Sequence, residues 1–150
     1  MPGFESRLRE LGIALPTPPL PVASYVPFTV AENLVFISGQ IPDMKYAGKL
    51  GAEISLESGQ TAAQLCAINV IAQLKAACED DLERVRRCLK VTVFVNAAPD
   101  FTRHSEVANG ASDLFVAVFG DAGRHARSAV GASSLPRNVA VEVEAIFEIA

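Results

Sequence analysis

Residues 139–148, VAVEVEAIFE, alternate with a period of two. Successive side chains of a β-strand point to opposite faces. This stretch therefore reads as a strand with Val139, Val141, Val143, Ala145 and Phe147 on one face, and Glu142, Glu144 and Glu148 on the other beside Ala140 and Ile146. The valine row requires an apolar layer beneath it. The glutamate row requires water or cations, because an unpaired buried carboxylate is costly. A chain with such a strand must build a sheet with two unlike sides.

The remaining pattern fills in that sheet. SYVPFTV and LVFISG read as two strands joined by a tight turn at Ala31 to Asn33, and LKVTVFVNA (89–97) as a third. Residues 127–133 read as a fourth, turning through Leu135-Pro136-Arg137-Asn138 into the last, and an antiparallel hairpin of these two would bring Arg127 to the glutamate row in every second register. Residues 59–79 carry Leu65, Ile68 and Ala72 at helical spacing, with Ser58 as N-cap. Residues 105–119 carry Val107, Ala111, Leu114 and Val118, stopped by Gly120. A short helix over 4–11 presents Phe4, Leu8 and Leu11, and LPTPPLP follows as a stiff connector. Residues 41–59 are loop-like.

The order β-β-α-β-α-β-β predicts an α+β fold: a single mixed sheet with two long helices on one face. No boundary or repeat divides residues 1–150, so one domain is expected, with an N-terminal helical extension over about residues 1–21. Val91, Val93 and Val95 oppose Phe94, and Leu34 and Phe36 oppose Val35 and Ile37, so both faces of these strands are apolar. Two helices cover only one face. The other is expected to meet a further copy of the chain.

Half of the residues are hydrophobic and 20% are charged, enough for a large core. The net charge of −4 argues against a nucleic-acid-binding surface. No apolar run approaches the ~20 residues of a membrane span. The charged start MPGFESRLRE lacks a signal-peptide segment, so a cytoplasmic location is expected. Cys66 and Cys78 lie too far apart along one helix for a disulfide, and the three cysteines, Cys88 included, read as buried thiols. His104 and His125 have no partners at metal-ligand spacing, so no metal site is expected.

The stretch GRHARSAVGA (123–132) is the chemical oddity. It places Arg127 at the head of a strand otherwise made of small residues. One reading pairs Arg127 with a glutamate of the last strand inside an interface. The other makes it an anion site, since a guanidinium fork matches a carboxylate and a nearby glutamate could activate water.

The segments SYV…LVFISGQIP, VTVFVNAAPDF, ANGASDLF, HARSAVG and VAVEVEAIFEIA, in that order over about residues 22–150, resemble the Rid/YjgF family of reactive-intermediate deaminases, also labelled endoribonuclease L-PSP. The resemblance implies a chorismate-mutase-like fold, assembled as a homotrimer with clefts between subunits. It also implies cofactor-free hydrolysis of small 2-imino and enamino acids to 2-oxo acids and ammonia.

By the same resemblance Arg127 holds the substrate carboxylate and Glu142 positions water. Tyr25, Gly39, Asn109 and the backbone of Ala129 line the cleft, with His125 beside it. Ala129 stands where the family often has cysteine, and His125 where it has proline. An insertion falls near Thr102 to Ala108. Two other functions compete: a non-catalytic binder of small carboxylates, and a ribonuclease, for which this acidic chain is poorly equipped.

Overall fold

The computed structural model describes residues 3–21 and 23–150; the first two residues of the expected extension lie outside the described residues. The elements are α1 (Phe4–Glu10), β1 (Phe28–Ala31), β2 (Leu34–Gln40), α2 (Leu56–Ala77), β3 (Val85–Asn96), α3 (His104–Phe119), β4 (Ala126–Ala132) and β5 (Val141–Ile149). One five-stranded sheet runs in the order β1-β2-β5-β3-β4. All neighbours are antiparallel except β3 and β4, which are parallel. The α+β class and the mixed sheet are as expected.

The expected hairpin of the last two strands does not form. β5 lies between β2 and β3, while β4 takes the far edge of β3. The 16-residue α3 separates β3 from β4 in sequence, which is the crossover that parallel neighbours need.

Helix α2 packs over β2 and β5, α3 over β3 and β4, and the two helices pack together. Beneath them Val35, Val91, Val93, Val95, Val141, Val143 and Phe147 are fully buried. Against these sit Ala63, Ala67, Val70 and Leu74 of α2, with Val107, Ala111, Phe115 and Val118 of α3. Fully burying one such aliphatic side chain contributes about 1.5–3 kcal/mol. Cys66, Cys78 and Cys88 are free and buried in this core, and burial pushes the Cys88 thiol up to about 12.

Several expected boundaries move. Helix α2 starts at Leu56 and is capped by Ser55, whose hydroxyl accepts from the Ser58 amide at 3.1 Å; Ser58 is therefore not the cap. α1 stops at Glu10, leaving Leu11 47% exposed. Ala140 precedes β5 and is buried rather than sharing the glutamate face. Tyr25 sits in a bend before β1 rather than in the strand.

The face away from the helices carries Phe36 beside Ile146, Glu144 beside Thr92, and Phe94 between Glu142 and Val130. Phe36 is 40% and Val130 44% exposed there.

Candidate functional site

Arg127 lies on the edge strand β4 opposite Val91, so its side chain rises from the helix-covered face. There it meets the flank of α3. Its Nη1 donates to Asn109 Oδ1 at 2.9 Å and to Ser112 Oγ at 3.1 Å, and its Nη2 donates to the Ser105 carbonyl at 3.4 Å. Asn109 and Ser112 are three residues apart on the helix, so both point the same way. Every partner is neutral. Among the described residues no carboxylate lies within 4.0 Å of this guanidinium. Of its five N–H donors, these three bonds leave Nε–H and one hydrogen of Nη2. Nε–H and Nη2–H are the donors that a side-on carboxylate contact uses.

Arg127 shares a small cavity of about 230 Å³ with Ser112, Val116, Arg124 and His125. Ala129 continues the same row of β4, and the His104 ring packs over Gly131 beyond it. His125 is fully engaged. Its Nδ1 lies 2.6 Å from the Gly123 carbonyl and its Nε2 2.9 Å from Ser112 Oγ. Burial holds this imidazole below its ordinary pKa; the Gly123 bond opposes the shift, and the Arg127 charge adds to it. Both ring nitrogens of His125 are engaged within the protein, and Asn109 Oδ1 accepts from Arg127.

Glu142 lies elsewhere. It pairs with Phe94 and so belongs to the open face, whereas Arg127 shares its face with Val91 and Ala145. Within one chain the sheet itself separates the two charges, so the hairpin that would have paired Arg127 with the glutamate row does not bring them together. The Glu142 carboxylate packs against the backbone of Gly39, where a methyl group would overlap it; only glycine permits this approach. It lines a cavity of about 580 Å³ with Tyr25, Gly39, Gln40, Leu20 and Arg137. Burial, and after it the neighbouring Glu144 charge, raise the Glu142 carboxyl above its usual range.

The proline connector walls this cavity. Buried Gln73 of α2 donates to the Pro19 carbonyl at 2.7 Å and holds the connector in place. Arg137 also lines it, from a turn of left-handed backbone (φ 57°). That turn is tied down by Asn96, whose side-chain amide donates to Asn138 Oδ1 at 3.0 Å.

Arg127, Asn109, Ala129, Glu142, Tyr25 and Gly39 were expected to share one cleft; within one chain the fold divides them, Arg127 with Asn109 and Ala129 on one side of the sheet and Glu142 with Tyr25 and Gly39 on the other. Ser112, Ser105 and Arg137 were not among the expected site residues. The spacing of Ser112 from Asn109 carried a signal for the first. A backbone carbonyl carries none. Among the described residues no three His, Cys, Asp or Glu side chains converge to hold a metal.

These features define a small α+β protein with an arginine held by neutral partners at one sheet edge and a half-buried carboxylate on the opposite face. Residues 5–149 match the family described as "YjgF/chorismate_mutase-like, putative endoribonuclease". The chain is 46% identical over 149 residues to protein TCP17 of Trypanosoma cruzi, covering 96% of this chain and 92% of that one. It is 31% identical to the 2-iminobutanoate/2-iminopropanoate deaminase of Escherichia coli K12, over 89% of this chain and 94% of that one. The crystal structure of protein Atu1372 from Agrobacterium tumefaciens, described as of unknown function, superposes with a TM-score of 0.89. It is 46% identical, covering 97% of this chain and 91% of that one. The chain belongs to the YjgF/RutC family.

Proposed function

We propose that this protein hydrolyses small 2-imino acids to 2-oxo acids and ammonia, in clefts between copies of the chain. The observation that carries the reading is the side-on fork of Arg127, held by neutral partners with no protein carboxylate on it. Such a fork suits the carboxylate of a small acid. The relative named 2-iminobutanoate/2-iminopropanoate deaminase supports an imine as the rest of that acid.

The chemistry follows from positioning. Arg127 of one copy holds the substrate carboxylate. Glu142 of another faces the C=N carbon, since the two groups lie on opposite faces of one sheet. Water adds to that carbon while Glu142 accepts its proton. That proton passes to nitrogen, giving a carbinolamine; the hydroxyl proton is then transferred to the amino group, the C–N bond breaks, and ammonia leaves the 2-oxo acid behind. A carboxylate with a raised pKa is a stronger base at neutral pH, and burial gives Glu142 that character.

The test generates 2-iminopropionate with an amino-acid oxidase and traps the surviving imine with semicarbazide. The protein should speed imine loss and release ammonia. If it does neither while Arg127 still binds carboxylates, the chain is a carboxylate-binding module instead.

A further inference from the structure

Arg127 is held through a directional relay. The Gly123 carbonyl can only accept, so His125 Nδ1, 2.6 Å away, carries the imidazole proton. In the neutral ring Nε2 is then bare and can only accept. Ser112, 2.9 Å away, must give its single hydroxyl proton to it. The Oγ lone pairs are left facing Arg127, whose Nη1 donates to them at 3.1 Å. Each hydrogen has one place to go, and the guanidinium receives an acceptor on the edge away from its free fork.

We propose that Ser112 and His125 are positioning residues that fix the Arg127 fork for a substrate carboxylate. This rests on the reading of Arg127 as the carboxylate anchor. His125 touches no substrate; it acts by fixing which way the Ser112 hydroxyl points. Around the imidazole stand Ser112, Phe115 and Val116 of α3, with Gly123, Arg124 and Arg127 from the segment entering β4. Burial favours the neutral ring, the Gly123 bond opposes this, and the Arg127 charge adds to it. Where the resembled family pattern has proline, this chain has His125, which can hydrogen-bond.

The experiment is calorimetric titration of the purified full chain with benzoate. Wild type should bind, and Arg127→Lys should bind more weakly. Ser112→Ala and His125→Leu should each weaken benzoate on the order of tenfold. Ser112→Thr, which keeps the hydroxyl, and His125→Gln, which keeps an acceptor, should retain most of the affinity. In an Arg127→Lys background Ser112→Ala should cost nothing further, a result that general damage to the fold would not give. Should His125→Leu fail to fold, the Ser112 series decides the matter. Wild-type affinity in Ser112→Ala, or an equal loss in both backgrounds, overturns the relay and leaves the Arg127 anchor standing. No benzoate binding by wild type overturns both.

Discussion

Arg127 and Glu142 are unusual for opposite reasons, and each reason makes a prediction. Arg127 is a partly buried cation with only neutral acceptors around it. Lysine keeps the charge but not the planar fork, so Arg127→Lys should raise KM at least tenfold, a bidentate contact being worth about 1.5–3 kcal/mol. Steady-state imine hydrolysis measures this directly. Glu142 is a carboxylate whose charged form is disfavoured by burial and by Glu144. Its folded pKa lies above its unfolded one, so its contribution to stability is largest below the unfolded pKa and is lost as pH rises through the folded value. At neutral pH the ionised group therefore destabilises the fold. Glu142→Gln should melt higher than wild type at pH 7, and the gap should close in acid. The same substitution should lower kcat by ~10²–10⁴-fold, with little change in KM, because it removes the base but not the anchor. Melting curves at two pH values beside the kinetics check both halves. A variant that loses stability at pH 7 would contradict the environment assigned to this carboxylate.

At the scale of elements, the anchor depends on how closely α3 sits against α2. Gly110, one residue from Asn109, lies on the α2 backbone; a methyl group there would overlap the Gln60 carbonyl. Gln60 in turn donates to the Glu106 carbonyl at 2.9 Å, tying the helices together where α3 begins. Gly110→Ala should cost about 1–3 kcal/mol by forcing the helices apart. It should also weaken carboxylate binding, because Asn109 and Ser112 move with α3. Chemical denaturation and benzoate titration of this one variant measure the two effects. Binding that survives a clear loss of stability would show the anchor to be independent of the helix contact.

The whole molecule presents one covered and one open sheet face. Phe36 and Val130 are exposed on the open side, and Phe94 and Ile146 lie half-buried there. We propose that this side meets other copies, and the family resemblance supplies three as their number. Light scattering after size exclusion should give a trimer. Phe36→Asp, which sets a charge in that surface, should give smaller species without imine hydrolysis. The separation of the half-sites adds a sharper expectation. Arg127→Ala and Glu142→Gln chains should each be inactive alone. Mixed by unfolding and refolding together, they should regain part of the activity, since some clefts then combine an intact arginine with an intact glutamate. Activity that never returns on mixing, in oligomers shown to be mixed, would mean that both groups must come from one chain.

Local periodicity was enough to predict the strands and helices to within a few residues at their ends, most of the buried rows, and the α+β class, because a period of two or 3.6 is a property of neighbours in the chain. The motifs around Tyr25, Gly39, Asn109, Arg127 and Glu142 pointed to the family for a similar reason, each being a short run of residues. Strand order was another matter. The short turn between β4 and β5 suggested a hairpin, yet α3 carries the chain from β3 into a parallel neighbour and β5 enters the sheet between β2 and β3. That choice is made by burying Val141, Val143 and Phe147 under α2 and α3 together, a long-range packing gain no local pattern records. From it follow the two facts that matter most for function. Arg127 and Glu142 occupy opposite faces of the sheet. His125, beside Arg127 in sequence, reaches it only through a serine of a different element, a contact decided by the docking of α3 on β4.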